Sequence, residues 1–542
     1  MGYSNTRYAL LVACTWMGFA TQAQPQAVLT RHVPAEVTTG EAVLLRPMPP
    51  TGQLRLNLAL PLRNEEELDQ VLNDLYDPAC PFYHRFLSVE EFTERFGPAE
   101  DDYAALVRFA QRSGFIITGT APNRLVLNVT ATAANIESAF HVAMGVYQHP
   151  SEPRTFYSPD REPAPDTSVP LWHITGLDNF SVPRPASLVR DVETQGETTG
   201  SGPSGNFLGS DMRAAYYSHG DLTGKGQSVG LLEFAGYNIA DVDRYFSKAG
   251  QKLTVRVTGI STDGSSLRCA GKCDDSEQVL DIEEAISMAP GMTEVRVYVS
   301  DTSDVSILNR MATDNISKSL SCSWGWKPAD PSSDDPIFKE FAAQGQNIFV
   351  SSGDNGAYKK KSRFIYPADD ALVVAVGGTD LKTDGAGGAW KHETAWSDSG
   401  GGVSPDRIPI PKYQTAPGVI TKKNDGSKVY RNAPDVAAEA NTDNYICYNG
   451  TCAGGWGGTS FSAPRWAGYL ALVNEESVSR TDSTVGFLNP SLYRIGLSAG
   501  YASDFHDIVR GDNRKYSAVK GFDLVTGWGS PNGTDLIEAL TR

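Results

Sequence analysis

The chain has 542 residues, 40% of them hydrophobic and 10% aromatic, so it can build sizeable cores and is too long for one ordinary domain. Its 47 Lys and Arg stand against 64 Asp and Glu, a formal charge of −17 at pH 7, which disfavours nucleic acid and anionic membranes as partners. Such a surface gathers less positive self-repulsion in acid than a neutral one would, and solubility alone would also account for it.

Arg7 precedes the apolar run Tyr8–Ala20, and Thr21-Gln22-Ala23 offers a small-residue cleavage site, so residues 1–23 have the form of an export signal. The run is too short to span a bilayer comfortably, and no later stretch is long and apolar enough to do so. The mature chain is expected to be soluble, secreted and free of the membrane. Residues 24–180 have their own character. Apolar residues at helical spacing occupy 62–78 and 101–115, and Ser88 with Glu91 forms a capping-box signature ahead of a helix at 88–97. Residues 123–131 alternate as a strand, and 132–141 return to helix. Short mixed elements of this kind predict a separate α+β domain.

Residues 181–206 are rich in Pro, Gly, Ser, Thr and charge, and read as an exposed linker open to proteolysis. From 207 to 542, apolar segments at 228–234, 254–260, 294–300, 318–324, 347–353 and 372–378 alternate with helical stretches. That alternation predicts an α/β domain with a doubly wound, mostly parallel sheet, whose ligand and catalytic groups gather at the carboxyl ends of the strands. Signal, folded segment, cuttable linker and large domain together have the layout of a secreted zymogen. Two ordinary domains on a tether would have the same order.

Of seven cysteines, Cys14 falls in the signal. Cys269 with Cys273, and Cys447 with Cys452, form close pairs, the second around an Asn449-Gly450 hairpin signal. Two local disulfides are expected, with a four-cysteine zinc site as the rival; neither pair has the usual two-residue zinc spacing. Cys80 and Cys322 are expected as buried free thiols.

The stretch GGTSFSAP, 457–464, presents Ser460 on a glycine turn at a helix start, the setting of a nucleophile that needs a base. The mature region offers only His219, His392 and His506, none in a recognisable serine-hydrolase setting, and His392 reads as lying in a loop. A carboxylate can serve instead. Residues 274–291 read as a helix ending at Pro290, with Glu277 and Asp281 one turn apart on one face. Exposed, the pair would be an ordinary solvated face; buried, it would titrate as a coupled unit, with Glu277 taking the Ser460 proton and Asp281 orienting it. Asp354 follows the strand at 347–353, where a protonated carboxyl could donate to an oxyanion.

The set Glu277-x-x-x-Asp281, SCSWG at 321–325, SSGDNG at 351–356, SGGGVSP at 399–405 and GGTSFSAP at 457–464 resembles the sedolisin, or serine-carboxyl peptidase, family, including kumamolisin-like enzymes. The resemblance runs from about residue 30 to the end. It implies a subtilisin-like fold and an acid endopeptidase or tripeptidyl-peptidase acting on proteins or peptides. Ser460 would be the nucleophile, Glu277 the base, Asp281 its partner and Asp354 the oxyanion donor, with Glu233 and Trp324 extending the carboxylate chain. The front segment looks like that family's activation propeptide, here an α+β, ferredoxin-like prodomain serving as inhibitor and folding aid. The C-terminal stretch 505–533 looks like the family's calcium loop, with carboxylates from Asp507 and Asp523 and backbone oxygens from Ile508, Val519 and Gly521 around Ca2+. A monomeric, self-processing zymogen is expected. A histidine-dependent subtilisin relative using His392 or His219, and a catalytically silent secreted binding protein, are the alternatives.

Overall fold

In the computed structural model the described residues are 30–186, 189–190, 199–218, 220–269, 274–327, 331–359 and 365–542. The export signal, His219, Cys273 and the 187–188 and 191–198 parts of the linker lie outside them.

The alternating segment near 123–131 becomes the strand Val126–Thr132, paired antiparallel with Gln53–Ala59 on one side and Ile116–Thr120 on the other. His173–Thr175 completes the sheet by pairing antiparallel with Gln53–Ala59. Helix Glu100–Arg112 precedes the central hairpin and helix Ala133–Phe140 follows it, which gives the β-α-β-β-α-β order of a ferredoxin-like domain. Leu56, Leu58, Leu106, Phe109, Leu127, Ile136 and Phe140 form its core. The expected capping box holds: Ser88 accepts the Glu91 N–H, and the Glu91 side chain returns to the Ser88 N–H.

The second domain is built on strands β1 (Ser228–Glu233), β2 (Arg256–Ser261), β3 (Glu294–Val299), β4 (Ser319–Cys322), β5 (Asn347–Ser351), β6 (Val374–Thr383), β7 (Trp390–Ala395) and β8 (Val436–Glu439). The sheet runs β2-β3-β1-β4-β5-β6 in parallel. Beyond it, β8 joins β6 in parallel and β7 joins it antiparallel. Helices α1 (Ser276–Met288) and α2 (Thr459–Thr481) pack together on one face through Val279, Ile282, Ala285, Ala463, Ala467 and Leu470. On the other face, Ile307, Leu308, Ile337, Phe338 and Phe341 form one continuous cluster with Leu68, Phe92 and Phe96 of the first domain. The two domains therefore share a core rather than merely touching.

Strand β7 is not marked in the sequence, because its Lys391 and His392 are exposed and no apolar run announces an edge strand. It also corrects the expectation for His392, which lies in this strand and not in a loop. Cys447 and Cys452 are bonded across a hairpin whose Asn449 and Gly450 both have positive φ, 49° and 74°, as a two-residue primed turn requires. Cys269 is disulfide-bonded. Cys322 is a buried free thiol as expected, whereas Cys80 is free but only half-buried.

Candidate active site

Three parallel strands deliver their carboxyl-terminal residues to one place. Glu233 ends β1, Ser323 and Trp324 follow β4, and Asp354 follows β5. Helix α1 brings Glu277 and Asp281, and the first turn of α2 brings Ser460, where backbone N–H groups lack intrahelical partners. Gly458, at φ +153°, makes the turn into that helix, a conformation L side chains rarely adopt. Gly400 of the SGGG turn lies so close to the strand-end backbone that a Cβ would fall 1.9 Å from the Ser352 carbonyl oxygen. That close approach braces the loop carrying Asp354.

Every group in this set is buried: Ser460, Glu233 and Asp281 are 0% exposed, Glu277 3% and Asp354 4%. The solvated-face alternative for Glu277 and Asp281 is therefore removed. Trp324 Nε1 donates to Glu233 Oε2 at 3.0 Å, and Ser323 Oγ donates to Asp281 Oδ1 at 2.8 Å. The remaining oxygens, Glu233 Oε1 and Asp281 Oδ2, are buried without another donor. A proton held between these two carboxyls satisfies both. Burial, then the charge of Asp281, holds the Glu233 carboxyl well above the usual range. Burial likewise raises Asp281, against hydrogen bonds from Ser323 and Glu233.

Burial and the neighbouring Asp281 also hold Glu277 well above its ordinary value, while the Ser460 hydroxyl pulls it down. Among the described residues neither Glu277 oxygen nor Ser460 Oγ has a partner in ordinary hydrogen-bond geometry. Asp354 Oδ1 accepts from the Thr459 N–H at 2.7 Å and from Thr459 Oγ at 2.8 Å. Its Oδ2 has no partner, and burial pushes the carboxyl up to about 7 despite the two Thr459 bonds. A neutral Asp354 thus has one oxygen free to donate. Chemically, the arrangement is a hydroxyl, a chain of coupled carboxyls able to accept its proton, and a separate protonated carboxyl able to donate.

Ser323 and Thr459, which orient Asp281 and Asp354, carry no signal of their own in the sequence beyond adjacency to Trp324 and Ser460. Arg465, buried in α2 and bonded to Glu284 of α1 at 2.7 Å, was also missed. A lone charge in the apolar run SFSAPRWAGYLAL requires a buried partner and could have been noticed.

The first part of the linker pairs with backbone on both sides of this set. Arg184–Pro185 runs antiparallel to Trp324–Gly325, and the Ala186 N–H donates to the Ser323 carbonyl at 3.0 Å. Val189–Arg190 then runs antiparallel to Trp456–Gly457, just ahead of Ser460.

The other candidates sit elsewhere. His506 stacks on Trp390, and burial lowers its pKa to about 4; His392 is exposed. Neither has a hydrogen bond to Ser460. In the C-terminal loop, Asp523 is fully buried and accepts from the N–H groups of Val519, Val525 and Thr526. Asp507 accepts from the Tyr501 hydroxyl and the Gly521 N–H. Among the described residues no cationic side chain forms an ion pair with either carboxyl, and burial pushes Asp523 up to about 7. No group of three or more His, Cys, Asp or Glu is placed to hold a metal among the described residues. A fully buried carboxyl and a half-buried one, neither held in an ion pair among the described residues, in a loop rich in backbone oxygens, still fit a hard cation. No helix among the described residues is long and apolar enough to cross a membrane.

A family model described as "Pro-kumamolisin, activation domain" matches residues 41–180, and one described as "Subtilase family" matches residues 288–489. Kumamolisin of Bacillus sp. (strain MN-32) is 31% identical over 532 residues, covering 91% of this chain and 93% of its own. Sedolisin of Pseudomonas sp. (strain 101) is 27% identical over 540 residues, covering 92% of this chain and 89% of its own. The solved structure of Pseudomonas sedolisin, a serine-carboxyl proteinase complexed with two molecules of pseudo-iodotyrostatin, superposes with a TM-score of 0.53 at 27% identity, over 63% of this chain and 98% of that one. With this fold, an activation domain at its front and such relatives along nearly its whole length, the chain belongs to the sedolisin family of serine-carboxyl peptidases.

Proposed function

We propose that the chain is the zymogen of a secreted, acid-active endopeptidase that cleaves its own linker. The observation that carries this reading is the joint burial of Ser460, Glu277, Asp281 and Asp354, with Asp354 bonded to Thr459 next to Ser460 and the Ser460 hydroxyl acting on the Glu277 carboxyl. Ser460 Oγ attacks the substrate carbonyl carbon as Glu277 takes its proton. Asp281, with Glu233 and Trp324 behind it, holds Glu277 in place and spreads the charge. The developing oxyanion accepts a hydrogen bond from neutral Asp354, a contribution of about 2.7–4 kcal/mol for donors of this type. The C–N bond breaks and the amine leaves with the Glu277 proton. Water then attacks the Ser460 ester, giving one proton to Glu277, and the acid product leaves as Ser460 regains its hydrogen.

The linker path supports maturation in cis at a bond between Ala186 and Val189. The export-type segment at 1–23 supports secretion, and the activation domain supports an intramolecular inhibitor released on cleavage. Asp507 and Asp523, with the carbonyls of Ile508, Val519 and Gly521, would hold Ca2+. That ion supplies positive charge to two carboxyls that form no ion pair among the described residues, and it staples the loop. The working form is a monomer acting on proteins or peptides.

Incubating the purified zymogen at pH 3–5 tests the reading. Wild type is expected to shorten to a product whose new N-terminus lies between 187 and 189, and to release internal fragments from an unfolded protein. Ser460→Ala is expected to stay full length. Processing of Ser460→Ala at the wild-type rate would reject the assignment, and a ladder of tripeptides in place of internal fragments would replace endopeptidase with tripeptidyl-peptidase.

A further inference from the structure

Trp456 is held as a rigid plate beside the cleft. Tyr448 meets it edge-on at 5.4 Å between ring centroids, and it packs with Leu280, Ile446 and Phe461. Leu280 lies between Glu277 and Asp281 on α1, and Phe461 follows Ser460 on α2, so the plate is fixed to the two helices of the site. The strand ladder sets Arg190 of the linker directly opposite Trp456, and the guanidinium lies over the indole, 5.4 Å from the ring centre. Arg190 is otherwise exposed. Among the described residues its partner is a π face and not a carboxylate.

We infer that Trp456 is a specificity-determining residue: the downstream arm of the cleft selects substrates with a cationic side chain, arginine or lysine, at the position that pairs with Trp456. The inference rests on the reading that the linker lies in the cleft as a substrate does. Three points carry it. Register in an antiparallel pair fixes which substrate residue faces Trp456, so the contact is positional and not incidental. The plate is already immobile, so stacking costs little ordering. An indole also does not titrate. In acid, a carboxylate that selected arginine would lose its charge, whereas the attraction of a cation to an aromatic face persists.

The test uses the mature enzyme and synthetic peptides carrying residues 182–191, with Arg, Lys, Leu or Glu at the place of Arg190. Wild type is expected to show kcat/KM about two- to fivefold higher for Arg and Lys than for Leu, with Glu lowest. The Arg-to-Leu ratio is expected to hold between pH 3.5 and 6, to collapse towards one in Trp456→Leu, and to survive in Trp456→Phe. Equal rates across the four peptides, a ratio that titrates with pH, or a ratio unchanged in Trp456→Leu would overturn the inference. Should Trp456→Leu not fold, the wild-type peptide series and the Trp456→Phe ratio decide it. Refusal of all four peptides by an enzyme that still digests unfolded protein would overturn the subsite alone. Failure on both substrates would overturn the reading of the site itself.

Discussion

Glu284 and Arg465 form a buried ion pair between the two helices of the site, Arg465 Nε donating to Glu284 Oε2 at 2.7 Å with both side chains 1% exposed. Arg465 also donates to the Glu439 carbonyl at 2.6 Å and to Asn444 Oδ1 at 2.7 Å. Glu284 is one turn beyond Asp281, and Arg465 is five residues beyond Ser460, so the pair fixes the sliding of one helix along the other. Removing one partner strands a charge in the core. Glu284→Ala is expected to cost about 3–5 kcal/mol, while Glu284→Leu combined with Arg465→Met recovers most of that loss. Urea denaturation of the three proteins checks this; equal stability of the single and double variants would count against it.

Asp354 must be neutral to donate. Burial pushes its carboxyl up to about 7, so activity is expected to decline as pH rises through that region. In Asp354→Asn the amide donates at every pH. The variant should be slower in acid but should lose the decline attributable to Asp354. A pH profile of kcat/KM, normalised to each protein's own maximum, makes the comparison, and superimposable curves would refute the role.

The buried carboxyls also set how stability depends on pH. Burial raises Asp354 to about 7 and Glu340 to about 8, both above their ordinary values. The unfolded chain gives up these protons near pH 4 while the folded chain keeps them. Their contribution is therefore complete below about pH 4 and is lost as pH rises to about 7–8, each tenfold gain in proton affinity on folding counting for about 1.4 kcal/mol. The zymogen variant Ser460→Ala, which avoids self-digestion, is expected to melt several degrees lower at pH 7.5 than at pH 4.5. A melting temperature that rises over this interval would mean that other groups dominate.

Calcium removal should act through the C-terminal loop of Asp507 and Asp523. A chelator at neutral pH is expected to lower the melting temperature, with excess Ca2+ restoring it. Asp523→Asn should abolish the response to added Ca2+. A wild type indifferent to both treatments would remove the ion from the account.

Much of this was legible in the sequence because strand ends and helix caps write themselves locally. Apolar runs marked the parallel strands, Ser88 and Glu91 marked a helix start, and Asn449-Gly450 marked the disulfide hairpin. Ser460, Asp354 and the Glu277–Asp281 pair lie far apart in the chain, and only the motifs in their order suggested a common site. Other contacts left no local trace. Strand β7 carries no apolar run and exposes Lys391 and His392. Ser323 acts through its hydroxyl and Thr459 through its hydroxyl and backbone N–H, on residue types common anywhere. The antiparallel seating of residues 184–190 depends on tertiary pairing, which no composition of a linker reveals.

The cluster in which Leu68, Phe92 and Phe96 meet Ile337, Phe338 and Phe341 has a bearing on the life of the mature enzyme. Each such side chain is worth about 1.5–3 kcal/mol when withdrawn from water. Once the front domain departs, that wall is gone, and the remaining domain no longer has the template on which it was assembled. Its durability in a digestive milieu then rests on the height of the barrier to opening, not on a reversible equilibrium, and a molecule that opens once is not expected to close again.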